Sequence, residues 1–168
     1  MILGMSTAAF TLLHVALSLI GMMAGAVVVY AMCKTQHWNG WTALFLSATV
    51  ATTATGFLFH SAKFGPAHVI GVISLVVLAL AILALYAYRL AGPWRWLYVV
   101  AALSALYLNV FVGIVQAFQK LPSLRPLAPT QSEPPFIVTQ LVVFLAFIAL
   151  GAVAAGRFHP QPHPAGSQ

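Results

Sequence analysis

His14, His60 and His68 fall within or at the edges of long apolar runs, and Asn109, Gln116 and Gln140 interrupt others. A neutral imidazole carries one N–H and one lone pair, and an amide carries both donors and acceptors. Two imidazoles at similar depth on facing helices can ligate a haem iron or another metal ion. His14 and His68 are the candidate metal ligands, with haem b as the cofactor. Asn109, Gln116 and Gln140 are the candidate hydrogen-bonding wall of the same cofactor site. A structural reading stands beside this one: His14 bonds a neighbouring helix, while His60 and His68 meet headgroups and water at a membrane boundary. His37, His159 and His163 lie in connections or the tail and read as solvated. No HExxH pattern and no Cys/His cluster occurs, and the single Cys33 cannot form an intrachain disulfide or a CxxC motif. No residue is identifiable as catalytic, so the sequence leaves open whether the protein is an enzyme.

These residues need elements that hold them at a common depth, and composition fixes what those elements are. Of 168 residues, 62% are hydrophobic and 5% charged, whereas a soluble domain carries about a quarter charged residues. Apolar runs of about 20 residues match the span of a bilayer core. In lipid the backbone must satisfy its own hydrogen bonds, which such runs do as helices, and the alternation of a β-barrel is absent. The expected fold is all-α, a bundle of five transmembrane helices in one domain over residues 1–158, with a disordered tail over 159–168. The expected spans are Ala8–Cys33, Trp41–His60, Pro66–Tyr88, Trp94–Phe118 and Pro135–Gly156. Breaks such as "SAKFGPA" and "RLAGPWRW" join charge to Gly or Pro, and Pro66 and Pro93 suit first-turn helix positions. The connection "KLPSLRPLAPTQSEPPF" holds five prolines and is expected to be non-helical, lying over the mouth of the bundle. Met1–Thr7 lacks a basic n-region and an A-x-A site, so the first run reads as a retained span, with Met5 an alternative start.

Seven Lys and Arg stand against one acid, Glu133. The basic residues are scattered at the ends of apolar runs, where they meet headgroups, so the partner is the lipid bilayer and not nucleic acid. Threading five spans places Lys63, Lys120 and Arg125 on the N-terminal side and Lys34, Arg89, Arg95 and Arg157 on the other. The positive-inside rule then puts the N-terminus outside and the C-terminus in the cytoplasm. Trp38, Trp41, Trp94 and Trp96 form an interfacial belt on the C-terminal side.

The same threading gathers the polar residues of the spans into the half nearest the N-terminal side. Polar groups in a bilayer are costly and face the bundle interior or a water-filled cavity, so a polar pocket open to that side is expected. Thr11, His14, Ser18, Gly21 and Gly25 share one helix face by their 3-4 spacing; so do Thr49, Thr53, Gly56 and His60, and Asn109, Gly113, Gln116 and Lys120. Small-plus-polar stripes are also how ordinary membrane helices pack. Near mid-membrane, Asn109 is expected to bond Ser18 or a threonine of the second span. Ser132 is expected to cap the fifth helix, with Glu133 at its positive end or paired with Lys63, Lys120 or Arg125.

"TGFLFH", "GPAHVIGVISLVVLALAI", "LYLNVFVGIVQAF" and "LAPTQSEPPF" resemble a group of small uncharacterised bacterial multi-pass membrane proteins, over about Thr7 to Phe158. The resemblance implies a bacterial inner-membrane protein and supplies no activity. Where that group has GFxFP this chain has GFLFH, which weakens a ligand role for His60. A looser similarity is to haem-b membrane proteins of the cytochrome b561 type, which pair histidines across helices, although no full motif of that family is matched. Two functions follow: a binding module for haem b, a quinone or another hydrophobic ligand, and a non-catalytic partner subunit or stability factor of a larger membrane complex, with a membrane-protein partner or a second copy of itself. A channel or carrier ranks last, since the spans lack charges and inverted repeats.

Overall fold

The computed structural model describes residues 2, 4–36, 38–59 and 65–159. His37, His60, Lys63, His163 and the tail from 160 lie outside the described residues. Five helices form the bundle: α1 (Thr7–Cys33), α2 (Asn39–Phe57), α3 (Pro66–Ile82), α4 (Pro93–Lys120) and α5 (Pro134–Arg157). Their starts have local causes. The Ser6 hydroxyl accepts the Ala9 N–H at 3.2 Å, which satisfies one of the donors that a helix N-terminus leaves unpaired. Proline occupies the first turn of α3, α4 and α5, where its missing N–H costs nothing. At its far end α3 widens into a π turn, Leu83–Ala87, and Arg89 and Leu90 then take positive φ angles of 47° and 60°, which stop the helix.

Helix α4 touches all four others, and α3, α2, α1 and α5 follow one another around it. Helices consecutive in the chain run antiparallel. The early part of α1 meets the late parts of α2 and α4 through His14–Thr55 and Ser18–Asn109. Along α4 and α5, Gln140 reaches the Phe111 carbonyl near one end, and Arg95 donates to the Phe158 carbonyl at the other. The start of α1 and the end of α5 therefore lie on opposite faces. Trp38, Trp41, Trp94 and Trp96, at the starts of α2 and α4, share the C-terminal face, as the sequence leads one to expect.

α1, α3 with its π turn, α4 and α5 are long and apolar enough to cross a membrane. Helix α2 falls short of that measure, because its 19 residues include Thr42, Thr49, Thr52, Thr53 and Thr55. The chain is thus a multi-pass helical membrane protein with four helices of span character and a fifth that is more polar.

The two halves of the bundle pack differently. Towards the C-terminal face, Val28, Met32, Phe45, Leu78, Tyr98, Val99 and Phe158 form a close-packed core, filled in by Ala24, Ala81, Ala84 and Ala102. Close approach of α1 depends on Gly25, where an added Cβ would lie 2.6 Å from Leu106 Cδ1 and 2.9 Å from the Phe45 ring. In lipid, van der Waals packing of this kind holds helices together. Towards the N-terminal face the same four inner helices separate around a cavity.

Candidate functional site

The cavity is about 360 Å³ and lies between α1, α2, α3 and α4. Such a volume falls within the range of small-molecule sites. His14 and Ser18 line it from α1, and Asn109, Gln116 and Lys120 from α4. Thr49, Thr52 and Thr53 line it from α2, and His68 and Ser74 from α3. Apart from Thr11, the rest of the wall is apolar, with Phe57, Phe59, Leu108 and Val112 prominent.

Hydrogen bonds determine what each polar wall group offers. Thr55 Oγ1 lies 2.7 Å from the Ala51 carbonyl and 3.0 Å from that of Thr52, so its single hydrogen is committed to its own helix. His14 Nδ1 lies 2.8 Å from the same Oγ1, which can therefore only accept. The network assigns the proton of neutral His14 to Nδ1, leaving Nε2 as a lone-pair acceptor. Phe59 meets the ring edge-on at 5.2 Å, and Gly56 faces it from α2, where an added Cβ would lie at ordinary contact distance, 3.6 Å from His14 Cε1. His68 has the opposite arrangement. Its Nδ1 accepts the Gly65 N–H at 3.2 Å, which closes the first turn of α3 and places the proton on Nε2.

Asn109 behaves as expected for an amide at this depth. Its Oδ1 accepts from Ser18 Oγ at 2.8 Å, and its Nδ2 makes a long contact of 3.4 Å to the Ser18 carbonyl. Gly21 makes room for this junction: a Cβ there would meet Thr49 Oγ1 at 3.1 Å and Asn109 Nδ2 at 3.3 Å. Thr52, 8% exposed, has a buried hydroxyl with no hydrogen-bond partner among the described residues.

Of the five residues expected to form the wall, His14, His68, Asn109 and Gln116 share the cavity. Gln140 does not line it. It is buried in the α4–α5 contact, where its Nε2 donates to the Phe111 carbonyl at 3.2 Å. The face of α4 that holds Phe111 is turned away from the cavity, a distinction that spacing within α5 cannot reveal. The long connection likewise folds against α4 and does not line the cavity: Gln131 Nε2 donates to the Val115 carbonyl at 3.1 Å, on that same side. Nor does Ser132 cap α5. Glu133 is the N-cap residue, and its carboxylate turns back to accept from Thr130 Oγ1 at 2.9 Å and from the Thr130 and Ser132 N–H groups at 3.1 Å each. These local donors, rather than a lysine or arginine, satisfy it. Ser74 is a cavity residue that the apolar run "GVISLVVL" conceals. Its signal is the series Ala67, Gly71, Ser74, whose 3-4 spacing puts small residues on one face of α3.

Two histidines in one cavity make a metal pair only if each turns a lone pair towards the ion. A ligating imidazole needs a lone pair on the nitrogen facing the ion and its proton on the other. His14 meets that condition; His68, with Nδ1 already accepting a backbone N–H, does not. Among the described residues no group of three or more His, Cys, Asp or Glu converges to hold a metal ion. No protein-family model, curated protein or solved structure matches the chain. The fold therefore defines the class, a multi-pass helical membrane protein, and the residues around the cavity must carry any functional reading.

Proposed function

We propose that this protein is a membrane-embedded binding module for a small hydrophobic ligand with a polar head, taken up in the cavity from the N-terminal face. All five helices cross the bilayer, α2 included, in the inner membrane of a bacterium. The N-terminal face is periplasmic and the C-terminal face cytoplasmic. The observation that carries the reading is the contrast between halves. Small residues close the C-terminal half, whereas four helices turn polar side chains into a space of about 360 Å³ in the other. Polar groups held at such depth are costly unless paired, and a bound polar head would pair them. The Thr52 hydroxyl, buried with no partner among the described residues, is one such group.

Extraction and mass spectrometry of the protein purified in native lipid discs tests this. A small amphipathic molecule should accompany the wild type in near-stoichiometric amount and be lost from Val112→Phe, which fills the cavity. Equal small-molecule content in both proteins would overturn the reading. If a second protein accompanies both in fixed ratio while no small molecule does, the partner-subunit reading takes its place.

A further inference from the structure

The hydrogen-bond pattern around the cavity constrains the chemistry of what it holds. On the α1 side, nothing among the described residues bonds His14 Nε2, the one ring nitrogen left once Thr55 Oγ1 accepts from Nδ1–H. The ring is fixed between α2 and Phe59, so it cannot trade one nitrogen for the other without breaking the Thr55 bond. A carbonyl oxygen brought to Nε2 would set two lone pairs against each other, whereas a hydroxyl would donate to it. The α4 side supplies donors. Asn109 Oδ1 accepts from Ser18 and one amide N–H contacts the Ser18 carbonyl at 3.4 Å, which leaves the second N–H to offer a ligand. Lys120 lines the same wall and can only donate. Between these lie Phe57, Phe59, Leu108 and Val112, apolar surfaces suited to a flat ring. The buried Thr52 hydroxyl, with no partner among the described residues, is an independent sign that the polar lining is incomplete as it stands.

Resting on the ligand-binding reading above, we infer that the cavity takes the head of a hydroquinone, whose O–H donates to His14 Nε2 while its oxygens accept from the α4 wall, and that the site prefers this quinol to the oxidised quinone. The quinone keeps its acceptors and so keeps the α4 contacts, but it has nothing to give His14. An acceptor facing an acceptor also remains unsatisfied, and sites built to bond a hydroxyl discriminate against analogues lacking it. A haem iron would use the same Nε2 but needs a second axial group, and the proton on His68 Nε2 removes the candidate across the cavity.

The test is equilibrium binding of a decyl-substituted benzoquinone to the full chain in lipid nanodiscs, oxidised in one series and fully reduced under anaerobic conditions in the other. The reduced form should bind about tenfold tighter, the effect of one net hydrogen bond. His14→Phe, which keeps an aromatic ring, should abolish the preference, and His14→Gln, whose Oε1 is an acceptor, should restore part of it. Thr55→Val keeps His14 but frees its tautomer and should shrink the preference; it carries the test if His14→Phe fails to elute as a monodisperse species. Equal or tighter binding of the oxidised form by the wild type, or an undiminished preference in both His14→Phe and Thr55→Val, overturns the quinol inference. The cavity remains a ligand site in that case. A His14-dependent Soret band on adding haem also overturns the quinol in favour of iron. Binding of neither ring form, together with equal small-molecule content in wild type and Val112→Phe, overturns both this inference and the reading on which it rests.

Discussion

Asn109 shows how far one side chain can be reasoned from its depth alone. An amide in the middle of an apolar helix must pair, and the partner it finds, Ser18, is one of those its depth suggests. Interhelical bonds of this type contribute about 1 kcal/mol or less in membranes, because the dissociated helices also find partners. Asn109→Leu should therefore destabilise the bundle by roughly 1 kcal/mol. Ser18→Ala should cost a similar amount, and the double variant less than their sum, as measured by reversible unfolding in lipid discs. Strict additivity would mean the two do not act together. Glu133, outside the spans, behaves differently. Loss of hydration is the largest single influence and raises its carboxyl, but the bonds from Thr130 and Ser132 together outweigh it and hold the group below its ordinary value. A group whose folded value is depressed contributes order above its unfolded value and loses it as pH falls through the folded one. Amide exchange at Thr130 and Ser132 should thus be slow at neutral pH and speed up only as pH falls below the ordinary carboxylate range, beyond the intrinsic rate change, and Glu133→Gln should remove that step.

At the scale of elements, the five helices are legible because apolar runs, proline starts and charged breaks agree, and each observed helix lies within a few residues of its expected span. What sequence could not supply is which face of a helix meets which neighbour. Gln140 carries the same chemistry as Gln116, yet one lies in the α4–α5 contact and the other on the cavity. The difference arises from the rotation of α5 about its axis, which its apolar surroundings do not encode: Ile137, Leu141, Leu145 and Ile148 are all exposed and would suit either rotation. Ser132 failed as a cap because the consecutive prolines that follow Glu133 start the helix one residue later. The Gly21–Gly25 pair was weak as a pattern and becomes specific only through its contacts. With Leu106 and the Phe45 ring within 3 Å of a new Cβ, Gly25→Ala should cost about 1–3 kcal/mol through overpacking. Gly40→Ala, where a Cβ would meet nothing within 4 Å, should be nearly neutral. Equal effects in thermal unfolding would show that α1 does not depend on close approach at Gly25.

For the whole molecule, the arrangement places function and anchorage at opposite ends. Aromatic belt, alanine-rich core and four of the basic residues, Lys34, Arg89, Arg95 and Arg157, belong to the C-terminal face, while the cavity opens towards the other. If that half faces the periplasm, as the basic residues favour, ligand entry and the fixed end of the bundle are on opposite sides of the membrane. Single cysteines test both this orientation and the crossing of α2, which its threonines leave short of the hydropathy of its neighbours. The native Cys33, at the end of α1, should react with a membrane-impermeant maleimide only after the cells are opened. In a Cys33→Ser background, Ser6→Cys should react in intact cells. Gly40→Cys and Leu58→Cys mark the two ends of α2, both on exposed residues. The first should behave like Cys33 and the second like Ser6→Cys. Labelling of both α2 positions from the same side would mean that α2 does not cross. Labelling of Cys33 in intact cells, with Ser6→Cys protected, would invert the bundle and turn the cavity mouth to the cytoplasm.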